Sequence, residues 1–127
     1  MAGSLFIHMP HIEDFWKERS ELNEIVLKYA DQVIKRFYSL DNQAYRGKAL
    51  SSKVKEMLGL VASFVLRCDD CINYHLVKCR DEGVSTEELV EILGIGLVVG
   101  GSITIPHLRR ALRSWDELIS GGNLRVD

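Results

Sequence analysis

The stretch Cys68-Asp-Asp-Cys71-Ile-Asn-Tyr-His75-Leu-Val-Lys-Cys79 carries more chemical information than any other part of the chain. Two cysteines stand three residues apart, and a histidine follows four residues after the second. On an α-helix, at about 100° per residue, Cys68, Cys71 and His75 fall within roughly 60° of one another. The stretch therefore predicts a helix that presents two sulfurs and an imidazole on one stripe, which is consistent with an active site, a metal site or a chance arrangement.

This predicted helix opens at Cys68, where two aspartates suit its positive end, and it ends at Gly83. Its apolar and reactive residues share the stripe, so the reactive groups are expected to face protein instead of bulk water. Tyr74 and Val77 lie off the stripe and indicate a subunit contact on the outer face. The stripe consists of Cys68, Cys71, Ile72, His75, Leu76 and Cys79.

Upstream, apolar residues recur at three- and four-residue spacing from position 22 to position 37, which predicts one long amphipathic helix. Residues 39–50 lose this periodicity and gather turn formers, so they are predicted to connect two helices. Ser51 or Ser52 caps the next helix, which is apolar on most sides to about residue 66 and is therefore expected to be buried. Glu56 lies in that helix, where its position alone favours an ordinary surface carboxylate near the helix start.

Downstream, Ser85 and Glu88 form a capping box that opens a helix predicted to be buried. Gly94 and Gly96 indicate close packing along it. Pro106 marks the first turn of a final helix. No segment shows two-residue alternation with hairpin turns, so the fold is predicted to be all-α with about five or six helices in one domain spanning residues 1–127.

Composition limits the function classes. Lys and Arg total 16 against 18 Asp and Glu, with a net charge of -2, so neither nucleic acid nor an anionic membrane is the expected partner. The first residues lack the features of a signal peptide, and a cytoplasmic location is expected. With 3 cysteines, a CxxC in a reducing compartment indicates redox or metal chemistry more than a structural disulfide.

A CxxC at a helix N-terminus can cycle between dithiol and disulfide, and the positive helix end favours the thiolate, the nucleophilic form. His75, one turn beyond Cys71, can accept its proton, which makes Cys71 the better candidate for first attack and Cys68 the resolving thiol. A zinc site using Cys68, Cys71, His75 and a fourth ligand is the alternative. Cys79 is too far along the helix to be that ligand and is expected to be a small buried residue, and His8, His11 and His107 have no assigned role.

The residues from about 51 to 118 resemble the AhpD-like alkylhydroperoxidase and carboxymuconolactone decarboxylase superfamily. The family pattern is a glutamate in one helix, CxxCxxxH opening the next, and a glycine-rich helix junction. It occurs here as Glu56, Cys68-Asp-Asp-Cys71-Ile-Asn-Tyr-His75 and Gly100-Gly101.

The resemblance implies an all-helical fold in a homo-oligomer, commonly a trimer or hexamer. No bound cofactor or metal is expected. It implies a peroxidase in which Cys71 attacks a hydroperoxide, Cys68 resolves the sulfenic acid, and a dithiol reductant, protein or cofactor, reduces the disulfide. Glu56 and His75 would form the proton relay, which makes Glu56 a buried acid instead of a surface charge.

Two further functions stay open at this stage. One is a carboxymuconolactone decarboxylase-like enzyme in which Glu56 and His75 transfer protons and the thiols are incidental. The other is a metal-holding or stress-associated oligomeric module without enzymatic activity. Asp70 stands where peroxidase members often carry a histidine or an aromatic residue, and its charge beside Cys71 should oppose thiolate formation.

Overall fold

The computed structural model describes residues 11–121. Within that range it contains six α-helices and one 3-10 turn and no strand, so the all-α prediction is confirmed. None of the helices in this range combines the length and apolar character needed to span a membrane. The elements are α1 His11–Tyr29, α2 Gln32–Ala44, α3 Ser52–Val65, α4 Asp69–Asp81, α5 Thr86–Gly100, the 3-10 turn Ser102–Thr104, and α6 Ile105–Gly121.

Helix α4 lies at the centre of the bundle. It packs against α3 on one side and α6 on the other, α5 packs on α3, and the first half of α1 crosses α4 and α6. Burying these apolar faces is the main favourable contribution to folding. The fully buried core side chains include Ile12 of α1, Leu60 and Phe64 of α3, Ile72, Leu76, Val77 and Cys79 of α4, Leu89 and Leu93 of α5, and Leu118 of α6.

The single long helix predicted before the CxxC is wrong, because the chain breaks between Tyr29 and Gln32. Asp31 has extended backbone angles and its side chain accepts the N–H of Ile34 at 3.0 Å, so it caps the start of α2. The apolar spacing continues through this break, and periodicity alone therefore could not reveal it. Helix α2 also extends to Ala44, which corrects the prediction that the connection begins at residue 39.

The predicted burial of α3 and α5 is wrong for the single chain. Leu58 of α3 is 52% exposed and Val98 of α5 is 85% exposed, while only one side of each helix faces the core. Helix α2 contains no buried residue at all. The suggested subunit contact through Tyr74 and Val77 is also not required, because Val77 is fully buried and Tyr74 stacks on Trp16 of α1 within the same chain.

A tight turn between α3 and α4 places Cys68. The N–H of Cys68 bonds to the carbonyl of Ser63 and that of Arg67 to the carbonyl of Phe64, which is the Schellman pattern. Arg67 occupies the left-handed position with φ of 60°, where glycine is usual. The backbone at this turn is therefore strained by roughly 1–2 kcal/mol directly before the first thiol.

Glycine at position 96 allows α5 to approach α3 closely, as the sequence predicted. A Cβ there would lie 2.6 Å from Cδ2 of Phe64, a ring in the middle of the core. Gly94 has no such neighbour, so the same prediction is wrong for it: its Cβ would meet nothing within 4 Å in this chain.

Candidate active site

Cys68 is the N-cap of α4. Its sulfur accepts the backbone N–H of Cys71 at 3.3 Å, in the place where a serine or aspartate oxygen usually caps a helix. The Cys68 and Cys71 sulfurs lie 2.6 Å apart, and both cysteines are free thiols. The predicted pair is therefore side by side at the positive end of α4.

Cys71 does not face the protein interior as the stripe predicted. It is exposed, whereas Cys68 is partly covered. The reason is that Cys71 lies in the first turn of α4, where α1 and α2 leave a cavity open above it. This cavity has a volume of about 410 Å³. Four residues of α4, which are Asp70, Cys71, Tyr74 and His75, line it together with six residues of α1 and α2. A small molecule can therefore reach Cys71 directly.

The surroundings of Cys71 oppose the stabilisation of its thiolate by the positive helix end. Partial burial, the hydrogen bond to Cys68, the charge of Cys68 and the charge of Asp70 raise the pKa of the Cys71 thiol to about 11. The sequence analysis expected the helix end to favour the thiolate and Asp70 to oppose it. At Cys71 the opposing effects of burial, Cys68 and Asp70 outweigh the backbone hydrogen bond. Because this raised pKa leaves Cys71 protonated near neutral pH, Cys71 becomes a nucleophile there only when a neighbouring base takes its proton.

A buried glutamate is paired with a histidine that lines the same cavity as Cys71. Glu56 of α3 is 3% exposed and His75 of α4 is 6% exposed. The Nδ1 atom of His75 lies 2.9 Å from Oε1 of Glu56. This contact makes Nδ1 the protonated ring nitrogen of neutral His75 and leaves a lone pair at Nε2. The structure thus pairs Cys68 with Cys71 and Glu56 with His75, places Cys71 and His75 on one cavity, and buries Glu56 instead of leaving it at the surface.

Sequence reasoning missed Tyr45, which directly follows α2. Its hydroxyl lies 3.4 Å from Nε2 of His75, and the two ring centroids are 5.2 Å apart. Burial raises the pKa of Tyr45, and the charges of Asp41, Glu56 and Cys71 raise it further. Tyr45 lay in a segment that was predicted to be a connection, so no helical face or motif pointed to it.

A second cluster was also missed, because His107 was assigned no role. Nδ1 of His107 lies 2.7 Å from one carboxylate oxygen of Asp69, and Nε of Arg110 donates to the other oxygen at 2.8 Å. Burial opposes the charge on Asp69, but the hydrogen bonds from His107 and Arg110 lower its pKa. The signal available in the sequence was the three-residue spacing of His107 and Arg110, which places both on one face of α6. The cluster ties the start of α4 to α6 and fixes the backbone that carries the thiols.

The cavity wall carries apolar side chains and a mainly acidic set of charged ones. Its charged groups are three carboxylates, from Glu18, Asp41 and Asp70, and one guanidinium, from Arg19. The Arg19 guanidinium lies 4.3 Å from the Tyr74 ring centroid and 4.9 Å from that of Trp16, so cation–π contacts hold it against the wall.

Cys79 and His11, the remaining candidates among the described residues, make structural contacts. Cys79 is fully buried in the core, as expected for a small apolar residue, and burial raises the pKa of its thiol to about 12. His11 pairs with Glu117 at 3.1 Å, and His8 lies outside the described residues. Between residues 11 and 121, no three His, Cys, Asp or Glu side chains are grouped so that they could hold a metal ion.

Comparison with protein families finds a match over residues 31–114 to the model described as the carboxymuconolactone decarboxylase family. The matched range contains Glu56, the CxxC and His75. It also contains Tyr45 and the His107 cluster.

Solved structures give the same answer for the fold. Two crystal structures of one Thermotoga maritima protein each superpose on this chain with a TM-score of 0.83. The first is 56% identical and covers 86% of this chain and 96% of its own. The second is 52% identical and covers 89% of this chain and 99% of its own. One of them is described as a carboxymuconolactone decarboxylase family protein with a possible involvement in an antioxidative response. A family protein from Legionella pneumophila, at 24% identity over 86% of this chain and 97% of its own, superposes with a TM-score of 0.80 and supports the fold alone.

Proposed function

We propose that this chain, which belongs to the carboxymuconolactone decarboxylase family, is a thiol-dependent oxidoreductase. It reduces hydroperoxides through Cys68 and Cys71. The observation that carries this proposal is an exposed Cys71 thiol, with Cys68 against it, on the cavity that is also lined by His75 of the buried Glu56–His75 pair. A thiol needs a base to become a nucleophile, and this base is held by a carboxylate. The Thermotoga maritima relative's description is consistent with such a role.

In the proposed cycle, His75 accepts the proton of Cys71 and Glu56 stabilises the resulting imidazolium. The thiolate attacks the terminal oxygen of the hydroperoxide, the O–O bond breaks, and the proton passes to the departing alkoxide to give an alcohol. Cys71 is now a sulfenic acid, and the Cys68 thiol displaces water from it to form a disulfide. An external dithiol then reduces this disulfide by exchange. The sum is hydroperoxide plus dithiol giving alcohol, water and the oxidised dithiol.

The charges of the cavity favour an uncharged hydroperoxide over the carboxylated lactone that a decarboxylase would bind. An anionic substrate would lie among the carboxylates of Glu18, Asp41 and Asp70, with Arg19 as the one cation of this wall. Repulsion between these carboxylates and an anionic substrate weakens its binding, and the repulsion is stronger where water is excluded. The decarboxylase alternative therefore has less support than the peroxidase.

The test is an intact-mass measurement on the reduced protein before and after one equivalent of cumene hydroperoxide, an uncharged substrate. We expect a loss of two hydrogens, with a Cys68–Cys71 disulfide found by peptide mapping, and full reversal by dithiothreitol. A protein that keeps both thiols while the peroxide persists would contradict the proposal.

The matched control is Cys79→Ala, which removes the third thiol from the core without touching the pair. Cys79 is fully buried and its pKa is raised to about 12, so it is expected to be unreactive. The variant should lose the same two hydrogens as the wild-type protein. If the mass change disappears in this variant, the disulfide involves Cys79 and the assigned pair is wrong.

We further propose that the protein works as a homo-oligomer, a trimer or hexamer of this chain. Large apolar side chains are exposed on two surfaces of the single chain, and such patches mark interaction sites. On the α1–α2 surface, Leu22 is 52%, Phe37 67% and Leu40 63% exposed, and on the α5 surface Val98 is 85% and Val99 69% exposed. The α5 surface belongs to a helix that the sequence pattern indicated as buried, and the α1–α2 surface belongs to a segment that it indicated as amphipathic.

Native mass spectrometry should find three or six copies, and Val98→Asp or Phe37→Asp should shift the population to smaller species. A buried unpaired carboxylate costs several kcal/mol, which is enough to dissociate a micromolar complex. Gln32→Glu adds a charge at an exposed polar position of α2 and should leave the assembly intact. A wild-type protein that stays monomeric at tens of micromolar would refute this proposal.

A further inference from the structure

The position of Tyr45 is determined by the end of α2. Tyr45 is the C-cap of that helix, with φ of -90° and ψ of 0°, and its backbone N–H bonds to the carbonyl of Gln43. Helix α2 has no buried residue, yet the Tyr45 side chain is partly covered and its ring lies against His75. Through Tyr45, α2 contacts the ring that the proposed reaction uses as its base.

His75 has two ring nitrogens, and each has a partner. Nδ1 lies 2.9 Å from Oε1 of Glu56, and Nε2 lies 3.4 Å from the hydroxyl of Tyr45. A carboxylate cannot donate, so the Nδ1 hydrogen points to Glu56 and the Nε2 lone pair points to Tyr45. At rest the Tyr45 hydroxyl can donate to this lone pair. When the proton of Cys71 arrives at Nε2, the hydroxyl turns and accepts the new N–H. One residue therefore holds the ring in both of its charge states.

The close approach of these two rings requires glycine at position 59. A Cβ at Gly59 would lie 2.6 Å from Cε1 and 2.9 Å from Nε2 of His75, and 2.9 Å from the hydroxyl oxygen of Tyr45. Gly59 is in the interior of α3, where glycine is less favourable than alanine. The space that it leaves is occupied by the His75 edge and the Tyr45 hydroxyl.

We propose that Tyr45 is a positioning residue that fixes the Nε2 side of His75, and that Gly59 supplies the space for this contact. The proposal rests on the proposed function, because it assigns His75 the role of base. Tyr45 acts through His75, and Glu56 fixes the other side of the same ring. The burial and the acidic neighbours that raise the pKa of Tyr45 keep its hydroxyl protonated and able to donate.

The test is Tyr45→Phe, examined by ¹⁵N NMR of the imidazole nitrogens in protein labelled at histidine. We expect the Nε2 resonance of His75 to move toward the value of a nitrogen without a hydrogen bond, and its pH titration to change. With cumene hydroperoxide and dithiothreitol, kcat should fall about threefold to tenfold, as expected for one hydrogen bond of ordinary net strength, while KM stays the same.

Two matched variants separate positioning from general damage. Tyr38→Phe removes another hydroxyl of α2, which donates to Asn23 at 3.4 Å, and should leave the His75 resonances unchanged. Gly59→Ala should displace the His75 resonances as Tyr45→Phe does. Gly47→Ala should not, since its Cβ would lie 3.5 Å from the nearest atom.

Unchanged His75 nitrogen shifts and titration in Tyr45→Phe would overturn the proposal, whatever happens to Gly59→Ala. The NMR readout does not depend on turnover. A protein without peroxidase activity but with shifted His75 resonances would thus refute the proposed function and leave the positioning role of Tyr45 standing. Normal activity with unshifted resonances would do the reverse.

Discussion

Cys71→Ser is expected to abolish hydroperoxide consumption, with a loss on the order of 10³-fold or more in kcat, because removal of a nucleophile leaves only binding and electrostatic contributions. Cys71 is the exposed thiol of the pair and lines the cavity together with His75. A serine hydroxyl cannot replace a thiolate as the group that attacks an O–O bond. The measurement is peroxide consumption with dithiothreitol as the reductant.

Cys68→Ser is the informative partner of this variant, because a serine at position 68 can still cap α4. It should react once with peroxide and stop as a sulfenic acid on Cys71, which dimedone traps. Apart from burial, the causes that raise the pKa of Cys71 to about 11 are chiefly its hydrogen bond to Cys68 and the charge of Cys68. The substitution should therefore lower the Cys71 pKa and speed its alkylation by iodoacetamide at pH 8.

The opposite pattern in the two serine variants would identify Cys68 as the attacking thiol. Cys68 is the sulfur that accepts the backbone N–H at the positive end of α4, whereas Cys71 is the sulfur with open access. If Cys71→Ser gave the trapped sulfenic acid and Cys68→Ser were inert, the helix end would outweigh access, and the roles of the two thiols would be exchanged. Either result decides which of the two effects selects the nucleophile.

The central chemistry could be predicted from the sequence because it is local. The positions of Cys68, Cys71 and His75 follow from helical geometry over one and two turns, and the capping box at Ser85 is a contact within four residues. The approach of Glu56 to His75 joins two different helices. It was expected only because the spacing of the glutamate and the CxxC resembles a known family.

The parts that could not be predicted depend on contacts between distant segments. Tyr45 meets His75 across 30 residues of chain, and His107 meets Asp69 across 38. A pattern of apolar residues also cannot say whether a face meets its own core or another subunit. The sequence therefore predicted buried helices where one chain leaves Leu58 and Val98 exposed.

The exposure of Cys71 is a related case. A helical projection gives the angle of a residue around its own axis and contains no information on where neighbouring helices end. Cys71 borders the cavity between α4, α1 and α2 and is open, whereas Ile72, the next residue of the same turn, is covered together with His75 and Leu76. The predicted stripe is thus correct for Ile72, His75, Leu76 and Cys79 and wrong for Cys71.

Glu56→Gln is expected to lower kcat for hydroperoxide reduction by about 10²–10⁴-fold, the usual contribution of a positioned acid–base group. The glutamine amide has nearly the same shape as the buried carboxylate and can still accept the Nδ1 hydrogen of His75, but it carries no charge to stabilise the imidazolium. Proton removal from Cys71 therefore becomes harder, while the cavity above it is unchanged. The measurement is kcat and KM with cumene hydroperoxide across pH 6 to 10.

Glu91→Gln is the matched control, because Glu91 is an exposed glutamate on α5 and its substitution should change neither constant. A thermal unfolding curve for each variant separates lost activity from lost structure. The pH dependence supplies a further check: because His75 with Glu56 serves as the base, the activity of Glu56→Gln should recover in part at high pH, where Cys71 loses its proton to water. Full activity of Glu56→Gln at pH 7 would show that the buried pair only supports the packing of α3 on α4.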